Sequence, residues 1–91
     1  MNTKAKGSRN EYKSRDILIA CGYSVCKAGG SLGEWDLVGV SPGGVALCQV
    51  KSNGWPGSVE METLENFRGP PNCVKLVHRW DDRQPVKVRI L

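Results

Sequence analysis

The stretch from Asp36 to Ser52, DLVGVSPGGVALCQVKS, limits the folds open to this chain more than any other. Two apolar runs are joined by Ser41-Pro42-Gly43-Gly44, a turn signal between strand-like segments. Strand side chains alternate between faces, so a run that is apolar at odd and even positions buries both. Val38, Val40, Val45 and Leu47 make one apolar face, and Leu37, Ala46, Cys48 and Val50 make the other. The pattern predicts a central hairpin covered on both sides, with strands over 35–40 and 45–51.

The covering elements follow from the rest of the chain. Its 91 residues suffice for one domain with a single modest core. SRNEYKSRDILIACG predicts a helix with Ser8 as N-cap, Glu11 three residues later and Gly22 just past the end. Positions 11, 14, 18 and 21 fall near one face, with Tyr12 and Ile19 beside it. Residues 1–7 read as a flexible basic N-terminus, and 8–91 as the single domain. Tyr23–Ala28 is rich in β-formers and is followed by the glycine-containing loop GGSLGE. Ser58 can cap a second helix reaching Phe67, with Met61, Leu64 and Phe67 inward and Glu60, Glu62 and Glu65 turned to water. Gly69-Pro70-Pro71 stops it, and CVKLVHRW and VKVRIL supply two last strands around the turn in DDRQP. The element order is α-β-β-β-α-β-β, a mixed α+β sheet with helices packed against it.

Charge and cysteine usage bound the function. The net charge is +4, and the whole excess lies in the first 27 residues, from Lys4, Lys6, Arg9, Lys13, Arg15 and Lys27 against Glu11 and Asp16. Such a basic end suits a polyanion, although a solubilising tail has the same composition. Cys21, Cys26, Cys48 and Cys73 form no CxxC pair and His78 stands alone, so the reading is four reduced, buried thiols rather than a zinc site. That points to a cytoplasmic protein. No stretch approaches 18 apolar residues and the N-terminus lacks a signal-peptide core, so neither membrane insertion nor secretion is expected.

The open end of the hairpin breaks the apolar pattern with Asp36 on one strand and Gln49 and Lys51 on the other. With Pro42-Gly43 as the turn, Asp36 stands opposite Gln49; with Gly43-Gly44 it stands opposite Lys51. In both registers the three side chains share a face. Opposed residues lie about 4.5 to 5.5 Å apart at Cβ, close enough for an acid and an amide oxygen to share a cation. A hard cation such as Mg²⁺ takes oxygen ligands, and Lys51 would add a fixed positive charge for a phosphate. The competing reading is a solvated strand end.

Trp35-Asp36 followed by Gln49-Val50-Lys51 resembles the D…(D/E)xK signature of the PD-(D/E)xK nuclease superfamily, in its QxK form. The resemblance implies a restriction-endonuclease-like αβββαβ core, here with an extra C-terminal strand. KGSRNEYKSRDILIACGYSVCKAGGS further resembles the opening of archaeal-type Holliday junction resolvases and their viral relatives, with basic residues, a helix bearing an acid, a strand and an AGS-like loop. Carried over, the catalytic roles fall on Glu11, Asp36, Gln49, Lys51 and the loop serine Ser31. The implied metal ligands are Asp36, Gln49, Glu11 and the backbone carbonyl of Val50, for Mg²⁺ with Mn²⁺ as a substitute. Lys4, Lys6, Arg9, Lys13, Arg15 and Lys27 become candidate DNA contacts. Trp35 replaces the usual Pro, and Gln49 replaces an acid, which keeps one carbonyl oxygen while removing a charge and predicts weaker cation binding.

Several of these residues have plainer roles. Ser8-Arg9-Asn10-Glu11 is also a capping box. Glu34 reads as a loop charge, His78 as a strand residue, and Trp55 and Trp80 as packing residues that could instead stack on bases. The functional expectation is a Mg²⁺-dependent endonuclease that cuts four-way DNA junctions as a homodimer, acting in the cytoplasm or, for a viral protein, that of the host. The alternatives are another nuclease of this superfamily acting on duplex or branched DNA, a catalytically silent DNA-binding module, and a small structural protein.

Overall fold

Five strands lie in one sheet in the order β1-β2-β3-β4-β5, so neighbours in sequence are neighbours in space. The computed structural model describes residues 3–30 and 32–91, with side chains from Ser8 onward. The elements are α1 (Thr3–Ala20), β1 (Ser24–Lys27), β2 (Leu37–Ser41), β3 (Gly44–Ser52), α2 (Ser58–Asn66), β4 (Cys73–Trp80) and β5 (Lys87–Ile90). All pairings are antiparallel except β3 with β4, which is parallel and needs the crossover that α2 provides. The order matches the expected one.

Ser41 faces Gly44 and Leu37 faces Cys48, so the turn is Pro42-Gly43. Gly44 has φ 148°, and a Cβ there would stand 2.1 Å from the carbonyl oxygen of Asn72. The same carbonyl accepts the N–H of Val45 at 3.1 Å, so the hairpin depends on that close approach. Both faces of the sheet are buried at its centre, while β5 and, against expectation, Val40 at the turn end of β2 are exposed. Leu37, Ala46 and Cys48 pack with Leu18 of α1, and Tyr23, Val25, Val50, Val74 and Leu76 complete that layer. Trp35, Leu47 and Val77 pack with Leu64 of α2, joined by Val38, Val45, Met61 and Phe67. Trp35 and Phe67 meet edge to face, with centroids 5.8 Å apart. Burying Leu64 alone is worth about 1.5 to 3 kcal/mol.

The helices depart from expectation at their starts. α1 begins at Thr3, so Ser8 lies inside it and is not its N-cap. Its buried stripe is Asn10, Ser14 and Leu18, spaced four apart, while Tyr12, Ile19 and Cys21 are exposed. Two of those buried residues are polar and each has a partner: Asn10 Nδ2 donates to Ser52 Oγ at 2.7 Å, and Ser14 Oγ accepts Trp80 Nε1–H at 2.8 Å. Gly22 ends the helix as expected, with φ 100°. The N–H of Gly22 reaches the Ile19 carbonyl and that of Tyr23 the Leu18 carbonyl, the two bonds of a Schellman motif. In α2 the cap is Gly57, and Ser58 is the first helical residue. At the other end Lys75 Nζ donates to the carbonyls of Leu64, Glu65 and Phe67, closing orphaned acceptors of the last turn.

Of the four cysteines only Cys48 is buried; Cys73 is half-buried and Cys21 and Cys26 are exposed, so the expectation of four buried thiols fails for those three. Among the described residues, no helix is long and apolar enough to cross a membrane.

Candidate active site

Asp36 precedes β2. The first residue of that strand, Leu37, is the register partner of Cys48. The N–H of Asp36 also donates to the Cys48 carbonyl, at 2.9 Å. Two residues of one strand address one of the other, which is the pattern of a β-bulge. The bulge takes Asp36 out of simple alternation, so it stands directly opposite neither Gln49 nor Lys51. Its carboxylate Oδ2 instead accepts the N–H of Val50 at 2.8 Å. Burial pushes the Asp36 carboxyl above 3.8; the Val50 N–H and Lys51 oppose the rise, while Glu11 and Glu34 add to it.

Gln49 and Lys51 point to the α2 side of the sheet, and there they meet Glu60. Gln49 is 4% exposed. Its Nε2 donates to Glu60 Oε1, and its Oε1 is buried without a partner. Lys51 Nζ stands 2.8 Å from one Glu60 oxygen and 3.2 Å from the other. The hydrogen bond from Lys51, helped by that from Gln49, holds the Glu60 carboxyl below 4.5 against its partial burial. Glu60 was expected to face water, and that reading is corrected. The signal was present: Glu60 precedes the buried Leu64 by four residues and so lies on the same helical stripe.

Glu11 reaches the hairpin from the opposite side, on α1. It pairs with Lys27 at 3.6 Å and is near enough to raise the Asp36 pKa. Val50, between Gln49 and Lys51, contributes the N–H already described. Ser31 lies outside the described residues, as do the side chains of Lys4 and Lys6. Among the described residues, no three His, Cys, Asp or Glu side chains converge as a metal site. His78 takes no part: it is 1% exposed, and its Nδ1 is 2.9 Å from Ser14 Oγ.

The basic residues divide into two groups. Arg9 and Lys13 line a cleft of about 970 Å³ together with Asn10, Trp80 and the turn over residues 81–84. Asn10 connects that cleft to Ser52, the residue after Lys51. Arg15 and Lys27 gather at the ring of exposed Tyr12, each 5.0 Å from its centroid. Trp55 is occupied by Arg79 and Arg89 over its ring, and Trp80 by Lys13.

No family model and no curated protein matches the chain. Over 93% of its length it aligns with the solved structure of Hjc, a Holliday junction resolvase from the archaeal hyperthermophile Archaeoglobus fulgidus. The TM-score is 0.73, the identity 19%, and 72% of that chain is covered. The chain shares that protein's fold. What the two have in common is the mixed five-stranded sheet with its helices.

Proposed function

We propose that this chain is a metal-dependent DNA endonuclease that cuts four-way junctions. The observation that carries the reading is the Gln49 side-chain oxygen, buried and unpartnered on the strand end that Asp36 joins through the Val50 N–H and that also carries Lys51. Leaving a buried acceptor unpaired costs about 1 to 3 kcal/mol, and a hard cation is the ligand that an amide oxygen and a carboxylate suit. Asp36 commits one oxygen to Val50, so the other is the one a cation would use. Glu11 and the Val50 carbonyl are further candidate ligands. Mg²⁺ or Mn²⁺ bound there would supply a Lewis acid that activates water and offsets phosphate charge. Lys51 adds positive charge where the phosphate becomes more anionic, and the bulge fixes Asp36 against the end of β3.

The cleft with Arg9 and Lys13 offers a path for a DNA strand beside that site, with Lys4, Lys6, Arg15 and Lys27 as further phosphate contacts and Ser31 as an assisting hydroxyl. A junction presents symmetric strands, which suits a two-fold homodimer of this small chain. The likeness to the fold of Hjc supports the choice of substrate. The absence of three convergent acids among the described residues favours a second reading, a DNA-binding module without catalysis.

Labelled junction, duplex and single-stranded DNA, incubated with Mg²⁺ or Mn²⁺, separate the two. Paired symmetric nicks confined to the junction are expected from the wild type, and a loss of about 100-fold or more from Asp36→Asn and Lys51→Ala. Binding without cutting by the wild type would leave only the silent module, and cutting of plain duplex would replace the junction with a broader substrate.

A further inference from the structure

We propose that Glu60 is a positioning residue of this site: from α2 it turns the Gln49 amide so that the oxygen faces the cation, and it holds the Lys51 ammonium beside it. The inference rests on the metal-site reading above. A primary amide has two ends of nearly equal size and opposite character, one donating and one accepting, and its neighbours decide which way it lies. An ionised carboxylate only accepts. Glu60 is ion-paired with Lys51, whose ammonium stands 2.8 Å from one of its oxygens. It therefore takes Nε2 of Gln49 and sends Oε1 the other way, into the buried position where that atom has no partner. The same bond draws electron density toward Oε1, which makes the amide a better ligand.

The pairing also accounts for the residue type on β3. A carboxylate at position 49 would present an oxygen whichever way it turned, and would need no orienting group. An amide needs one, and the first turn of α2 supplies it. The negative charge missing from the strand is found on the helix, one hydrogen bond away. Lys51 is held by the same carboxylate, its Nζ 2.8 Å from one Glu60 oxygen and 3.2 Å from the other.

Mn²⁺ binding to the full chain without DNA, followed at neutral pH by the spin-resonance signal of free Mn²⁺, gives a readout independent of cleavage. Glu60→Ala is expected to weaken binding about 10- to 100-fold, as loss of a group that orients a ligand does. Glu60→Gln, which keeps an acceptor but can also present its own NH₂, is expected between Glu60→Ala and the wild type. In a Gln49→Glu background, adding Glu60→Ala is expected to change nothing, because a carboxylate needs no aiming. Melting without metal checks that each variant folds. Unchanged binding in a folded Glu60→Ala or Glu60→Gln overturns the proposal, and so does an equal loss in both backgrounds, which would make Glu60 a direct ligand or a packing residue. If the wild type binds no Mn²⁺, or Asp36→Asn does not weaken it, the metal-site reading fails first and takes this one with it.

Discussion

Asp36 and Val50 are joined across the open end of the hairpin, the carboxylate of one accepting the N–H of the other at 2.8 Å. The bond does not fully offset burial, so the Asp36 carboxyl titrates above 3.8, with Glu11 and Glu34 adding to the rise and Lys51 opposing it. A protonated carboxyl holds no cation. Mn²⁺ affinity should therefore fall on acidification, about tenfold per pH unit below that pKa, with a midpoint above 3.8. Titrating Mn²⁺ binding across acidic pH checks this, and a midpoint at or below 3.8 contradicts it. Asp36→Asn should abolish the dependence along with most of the affinity.

Stability should carry a separate pH dependence from His78. Burial holds its pKa below 6.5 in the folded state, and Ser14 is its hydrogen-bonding neighbour. The unfolded chain takes up a proton near 6.5 that the folded chain refuses. The contribution is therefore full above 6.5 and is lost as pH falls toward the folded value. Melting temperatures from pH 8 to 5 should drop on the acid side, and His78→Gln should flatten that drop. Ser14→Ala should cost about 1 to 3 kcal/mol at any pH, because it leaves the Trp80 indole N–H unpaired.

Two adjacent glycines should behave differently. Gly44→Ala sets a methyl 2.1 Å from the Asn72 carbonyl oxygen at φ 148° and should cost about 3 kcal/mol or more. Gly43→Ala meets only Ser41 Oγ at 3.8 Å and should fall within about 1 kcal/mol of wild type. Denaturant midpoints of the two variants decide it; similar midpoints would mean that β4 yields where the structure holds it tight.

If DNA follows the cleft, Arg9→Gln and Lys13→Gln should each weaken junction and duplex binding alike. Each should also lower the slope of log K against log salt by about 0.9, the loss of one phosphate contact. Unchanged slopes would place the strand elsewhere, and Arg15 and Lys27 at Tyr12 would be the next basic group to test.

The hairpin, the two buried sheet faces and the element order were legible because a period of two and a Pro-Gly turn are strong local signals. That Asp36 meets the end of β3 was legible, but its exact pairing was not. A bulge adds a residue at a strand end without changing the letters around it, so the pattern showed a face-to-face pair where the chain makes a side chain to backbone bond. Ser8 misled because a capping box is a local motif, while continuing a helix through Gly7 costs only about 1 kcal/mol. Glu60 was not legible as an inward residue because three glutamates on a short helix have the composition of a solvated face, although the four-residue spacing from Leu64 puts it on the buried stripe. The polar stripe of Asn10 and Ser14 was not legible for a related reason. Their partners, Ser52, His78 and Trp80, are 42 to 66 residues away in sequence.

Lys75 grips the last turn of α2 from β4, while Glu60 in the first turn grips β3. A helix of nine residues, about 14 Å long, is thus pinned at each end to two neighbouring strands that run in the same direction. It behaves as a strut rather than a lid. A helix tied down at both ends leaves Glu60 little room to swing away from Gln49, and part of that restraint comes from a lysine that touches nothing in the site.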